Sequence, residues 1–150
     1  AVKMSYKGKD VPDGYYEYTV FPLEGVWDLV DKSISPQDKS NFKYTIMIRQ
    51  PDFLTDELFA KFVEQVKVKK LNPYLEKAIF SEMTDGVSCQ IMHIGSYDHE
   101  PESFATMQSF CDENGYIRTS KIHREIYLSD PRKTDVMKLK TVLRFTVRLW

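Results

Sequence analysis

The chain holds only two cysteines, Cys89 and Cys111. Two are too few for a disulfide scaffold, and with no export signal in view the reduced thiols of a cytoplasmic protein are the default. Charge of one sign is also missing. The 21 Lys and Arg against 22 Asp and Glu give a formal net charge of -1. A dedicated nucleic-acid binder would be strongly basic, so direct nucleic-acid recognition is not expected. No apolar run approaches the roughly 18 residues of a membrane helix, and no membrane partner is expected. The opening AVKMSYKGKD lacks the apolar segment of a signal peptide. Cys89, His93, His99, Cys111 and His123 stand at no recognisable zinc spacing, so no metal is expected. There is no G-x-S-x-G elbow, no P-loop and no dinucleotide glycine fingerprint, so no cofactor is expected either.

What is present is a single domain's worth of chain, 150 residues, long enough to bury one core. At 42% hydrophobic and 29% charged it is neither disordered nor collagen-like. No Ser/Gly linker or low-complexity run divides it, so residues 1–150 read as one domain. Aromatic residues make up 13%, with nine Tyr, nine Phe and two Trp. On that scale they either fill a core or line a pocket.

Along the chain, Asp13-Gly14 signals a turn, and Tyr15–Val20 (YYEYTV) is rich in β-formers and reads as a strand. Pro22 and Gly25 are expected to bend the backbone, presenting Glu24 and Trp27 from a bend rather than a ladder. Residues 31–41 are polar and read as a loop, and Lys43–Arg49 as a second strand stopped by Pro51. Thr55 is a good N-cap for a helix to about Lys70, with Leu58, Phe59, Phe62, Val63 and Val66 at helical spacing. Val87–Ile94 reads as a strand. Pro101 to about Asn114 reads as a helix with Phe104, Met107 and Cys111 on one stripe and Gly115 ending it. His123–Leu128 and Leu139–Leu149 read as strands. The second half is therefore strand–helix–strand–strand. The first half shows two strands in matching positions, and the chain starts where an earlier strand and helix would belong. Elements in blocks favour an α+β fold, an antiparallel sheet with helices on one face.

Alternation in HREIYL puts His123, Glu125 and Tyr127 on one face and Arg124, Ile126 and Leu128 on the other. Ile126 and Leu128 suit a helix-covered core. A mid-strand carboxylate beside a phenol has two uses if aromatics enclose it. It binds a cation, with help from the ring faces. It also serves as a base raised by apolar surroundings. The plainer alternative is a solvated sheet face. Trp27 reads equally as a pocket wall or a core plug. Cys89 and Cys111 fall on apolar stripes, as buried thiols do. In the last strand, Lys140, Val142, Arg144, Thr146 and Arg148 alternate with Thr141, Leu143, Phe145 and Val147, the pattern of a half-buried strand with a solvated charged face.

PLEGVW (22–27), IMIRQPDFLT (46–55), MHIGSYDHEP (92–101), HREIYLSDPRK (123–133) and LKTVLRF (139–145) together resemble the GyrI-like small-molecule-binding family. The likeness covers most of the chain from about Tyr15 onward. It implies two strand–helix–strand–strand repeats around a ligand cleft, the first repeat N-terminally incomplete here, with residues 1–7 as the tail of its helix. The same module is the effector domain of drug-sensing regulators. The resemblance implies a central ligand-contacting glutamate at Glu125, caged by Tyr18 and Trp27 from the first half and Tyr97 and Tyr127 from the second. The ligand implied is an aromatic or cationic xenobiotic, bound or sequestered.

One subfamily is similar in its HREIYLSDP run and its QPDF insertion (50–53). Its members hydrolyse the strained cyclopropane ring of DNA-alkylating natural products. That resemblance implies catalytic roles for Glu125 as base and Tyr127 as hydroxyl donor. Asp28 departs from the pattern, since a second aromatic usually follows the Trp. An unfinished first repeat would leave an open edge strand, which invites a homodimer. A third reading is a protein-interaction module acting on a DNA-processing enzyme, through basic residues such as Arg132, Lys133 and Lys138.

Overall fold

The computed structural model describes residues 1–8, 11–34, 38–69 and 72–150. They divide into two compact units, Ala1–Phe21 with Arg49–Met83, and Pro22–Ile48 with Thr84–Trp150. The second unit is built on an open antiparallel sheet of six strands. These are β1 (Leu23–Leu29), β2 (Phe42–Ile48), β3 (Ser88–Ile94), β4 (Tyr116–Arg118), β5 (His123–Tyr127) and β6 (Lys140–Leu149). Their order is β2-β1-β5-β6-β3, with the short β4 also on β6. One helix, α1 (Asp56–Lys69), belongs to the first unit, and another, α2 (Glu100–Glu113), to the second. The class is α+β, and the second half runs strand–helix–strand–strand with β4 inserted.

Local chemistry explains these elements. The Thr55 hydroxyl accepts from the Leu58 N–H at 3.3 Å and starts α1. Along that helix the Leu58, Phe59, Phe62, Val63 and Val66 stripe is the covered one, and Phe62 is buried. Lys70, the expected end of the helix, lies outside the described residues, as do Lys9 and Asp10 of the opening segment and Ser35 to Gln37 of the expected loop. Helix α2 has Pro101 in its first turn, where a missing N–H costs nothing. Gly115 follows it at a φ of 73°, a left-handed conformation that glycine reaches without a Cβ clash. Met107 and Cys111 of α2 pack on Leu143, Phe145 and Val147 of β6, with Cys89, Ile91, Phe104 and Tyr116 around them.

Two readings are corrected. Tyr15–Val20 forms no strand. Its rings pack instead, Tyr15, Tyr16 and Tyr18 each lying 5.2 to 6.1 Å from Phe53. Aromatic β-preference is a preference for packing, and here a side-chain cluster satisfies it without a ladder. The ladder starts after Pro22, so Glu24 and Trp27 come from the regular strand β1 and not from a bend.

The covered face is also reversed. Glu125 pairs in register with Leu143, so it shares its sheet face with the core that α2 covers. Ile126 and Arg124 point to the opposite face. Sequence alternation divides a strand into two faces but does not say which one the helix takes. The alternation read in β6 itself holds, with Thr141, Leu143, Phe145 and Val147 buried.

Candidate functional site

At the centre of the sheet, β5 lies between β1 and β6, and Glu125 stands opposite Gly25 on one side and Leu143 on the other. Glu125 is 7% exposed, which removes the solvated-face alternative. Its Oε1 is 2.9 Å from His123 Nε2, and its Oε2 accepts from the Tyr127 hydroxyl at 2.7 Å. That hydroxyl accepts in turn from Trp27 Nε1–H at 2.9 Å. An indole N–H only donates, so the single Tyr127 proton is directed at Glu125. The other oxygen lies against His123 Nε2, so the Glu125 carboxyl is held at both ends. Burial, followed by the hydrogen bond to Glu125 and its charge, drives the Tyr127 phenol pKa upward and keeps it a donor.

Gly25 makes this relay geometrically possible. A Cβ there would lie 2.7 Å from Trp27 Nε1 and 3.2 Å from the Tyr127 oxygen. The missing side chain is the space the indole uses to reach Tyr127. Trp27 also lies against Phe42 and Tyr44, with ring centroids 5.7 and 4.9 Å away. It is half-buried and forms a wall over Glu125's face of the sheet. Phe104 of α2 sets the other flank, its ring 4.8 Å from the His123 ring.

Tyr97 sits in the short turn before α2, 37% exposed, with its ring edge-on to Tyr127 at 6.1 Å. Burial first, then the charges of Glu100 and Glu125, raise its phenol pKa. Glu100, the first residue of α2, is 9% exposed, and its Oε1 has no hydrogen-bond partner. Burial, then the Glu125 charge, push its carboxyl up to about 8.

Of the expected site residues, Trp27, Tyr97, Glu125 and Tyr127 come together. Tyr18 belongs to the first unit, where its ring meets Phe21, Phe53 and Tyr16. Asp28 points to the face opposite Trp27 and takes the Leu29 N–H at 2.9 Å, so its lost ring is not missing from the wall, where Tyr44 stands. Glu24 also lies on that opposite face, in ion pairing with Arg124 at 3.3 Å. Sequence reasoning missed Glu100, His123 and Gly25 as site residues. The signal for His123 was its shared strand face with Glu125. Glu100 carries no sequence signal beyond that of an acid at the start of a helix, where negative charge is favourable.

Other candidates have structural explanations. His93 is buried between the Ser103 hydroxyl and the Ser96 carbonyl, both at 2.9 Å, so Nε2–H donates to the carbonyl and Nδ1 accepts. Cys111 is fully buried, and burial, with Cys111 beside it, raises the Cys89 thiol to about 11. Among the described residues no three His, Cys, Asp or Glu stand where they could hold one metal ion. Lys133 and Lys138 are exposed, and Arg132 forms a two-point pair with Asp130 at 2.8 and 2.9 Å. An open depression beside Val87, Tyr116 and Leu149 includes none of the five expected site residues.

The chain matches the family described as the GyrI-like small molecule binding domain over residues 4–148. Among solved structures it is similar to an uncharacterised conserved protein from Listeria innocua. Identity is 35%, the TM-score is 0.91, and 98% of this chain and 73% of that one are covered. It is also similar to a hydrolase from Listeria innocua, with 33% identity, a TM-score of 0.87, and 98% and 72% coverage. A second structure of a hydrolase from that organism aligns at 33% identity and a TM-score of 0.88, covering 98% and 73%. No curated protein matches the chain.

Proposed function

The chain belongs to the GyrI-like small-molecule-binding domain family, and from that premise we propose that it binds an aromatic or cationic xenobiotic against Glu125. The observation that carries this reading is the buried Glu125 carboxylate, fixed by Tyr127 and His123 and flanked by the Trp27 and Tyr97 rings. A fixed charge in a half-dry setting attracts a cation more strongly than the same charge in water. Ring faces add to that attraction. Donors already aimed at Glu125 mean that little reorganisation accompanies binding. The binding test is fluorescence titration with a panel of aromatic cations. Glu125→Gln weakens them by roughly 1–3 kcal/mol, the order expected for a lost charge contact. Equal affinity of wild type and variant across the panel would sink the reading.

A second reading is hydrolysis of a strained cyclopropane, favoured by the two structural neighbours described as hydrolases. Glu125 would take a proton from water as its oxygen bonds to a ring carbon. The ring C–C bond breaks, and its electron pair passes into a conjugated carbonyl. The oxyanion then takes a proton from a hydroxyl, for which Tyr97 is placed more freely than Tyr127. Tyr127, whose proton is committed to Glu125, holds the base in position. The test is a mass-resolved time course with a cyclopropane-bearing alkylator at one hundred times the protein concentration. Water adduct in many-fold excess over protein, lost in Glu125→Gln, supports turnover. One equivalent or none removes it.

A further inference from the structure

Glu100 and Glu125 are two buried acids with opposite hydrogen-bond situations. Both oxygens of Glu125 have hydrogen-bond partners, His123 Nε2 on one and the Tyr127 hydroxyl on the other. Glu100 is equally buried, yet its Oε1 meets no donor. An ionised carboxylate so placed, near a second negative charge, is costly, so Glu100 holds its proton. The titratable groups acting with it are Glu125 and Tyr127 on β5, and Tyr97 and Asp98 in the turn before α2. None of these four carries positive charge. Asp98 is engaged by Lys39 at 3.3 Å.

Building on the proposed small-molecule site, we infer that Glu100 is the second acid of that site, that the ligand class is an aromatic organic cation, and that the cation displaces the Glu100 proton as it binds. The free site holds one carboxylate and one neutral acid. A cation against both removes the reason for Glu100 to stay neutral. Its O–H ionises, the proton passes to solvent, and two carboxylates face the ligand. A neutral aromatic releases no proton, because it leaves the Glu100 environment uncharged. Affinity for the cation therefore rises with pH until Glu100 is ionised in the free protein, at about 8.

The test uses benzyltrimethylammonium, whose charge is permanent, so any released proton comes from the protein. Calorimetric titrations at about pH 7 in Tris and in phosphate, buffers of different ionisation enthalpy, count the protons. The wild type is expected to release about one proton per ligand, with affinity rising about tenfold per pH unit below the Glu100 midpoint. Glu100→Gln is expected to release none and to bind with little pH dependence. Cation binding by the wild type without proton release overturns the inference and leaves the proposed site standing. Binding of neutral benzyl alcohol with no binding of the cation also overturns it, and leaves only a neutral-ligand site. If neither probe binds, both readings fall. A carboxyl ¹³C NMR titration of the wild type keeps the test independent of whether the variant folds. The Glu100 resonance should titrate near 8 in the free protein and move to lower pH with saturating cation. An unmoved midpoint with the cation bound overturns the inference.

Discussion

Gly25→Ala tests the site's geometry through a single methyl group. Gly25 does not have a positive φ, so alanine meets no backbone strain there. In an open strand the change would stabilise by about 0.4–1 kcal/mol, through a less flexible unfolded chain. Here the new Cβ would sit 2.7 Å from Trp27 Nε1, 3.2 Å from the Tyr127 oxygen and 3.4 Å from Ile46 Cδ1. The first distance is too short for any real contact. The indole cannot retreat freely, because it is held by Tyr127 and packed on Phe42 and Tyr44. Overpacking of this kind costs about 1–3 kcal/mol, and the Trp27–Tyr127 hydrogen bond it displaces is worth about 1 kcal/mol more. The losses exceed the gain, and net destabilisation of about 1–3 kcal/mol is expected. For a chain of this size that lowers Tm by about 2–10 °C. Calorimetry measures the stability. Trp27 emission, read in a Trp150→Phe background, reports the displaced indole, since Trp150 is 79% exposed and would otherwise dominate. Unchanged Tm with unchanged emission would refute the claim that Gly25 makes room for the relay.

Tyr127→Phe leaves the Trp27 N–H and one Glu125 oxygen without their shared partner, and a loss of about 1–3 kcal/mol in urea unfolding is expected; a change under about 0.5 kcal/mol would contradict it. Asp85 accepts from Arg124 at 2.8 Å and Arg144 at 2.9 Å, two like charges that stand opposite each other in register across β5 and β6. Asp85→Ala should cost about 1–3 kcal/mol in thermal unfolding, with part of the loss restored by high salt. Glu100 also gives stability a pH dependence. Its carboxyl is raised from 4.5 to about 8, so between those values the native state holds a proton that the unfolded chain has lost. Stability is greatest below the lower value and falls as pH rises, by at most about 1.4 kcal/mol per unit, until the upper value is passed. Glu100→Gln should flatten that slope in denaturant titrations between pH 5 and 8, and an unchanged slope would remove Glu100 as its source.

The helices were the most legible elements, because their signals are local. Thr55 caps α1, Gly115 follows α2, and the apolar stripes of both helices are the covered faces. The strands in the second half were legible from alternation. Tyr15–Val20 misled because β-propensity in aromatic residues reflects packing, which a cluster on Phe53 supplies as well as a sheet. PLEGVW misled in the opposite direction. Pro22 merely precedes the strand, and Gly25 is there for close approach and not for a bend. Glu125, Tyr127 and Trp27 were nameable because a strand fixes its own alternation and the family's motifs point to the same residues. Glu100 was not, since its burial depends on where α2 meets the sheet. That docking is a tertiary fact absent from any local pattern.

The most direct test of a Glu125-centred site follows the indole N–H resonances of the two tryptophans in a ¹⁵N–¹H spectrum as benzyltrimethylammonium is added. Trp27 donates to Tyr127, which donates to Glu125, so a cation at that carboxylate perturbs the whole relay. The Trp27 resonance should move and saturate with the calorimetric affinity, while the exposed Trp150 resonance stays fixed. Saturable binding that leaves Trp27 unmoved would place the ligand elsewhere and contradict the account.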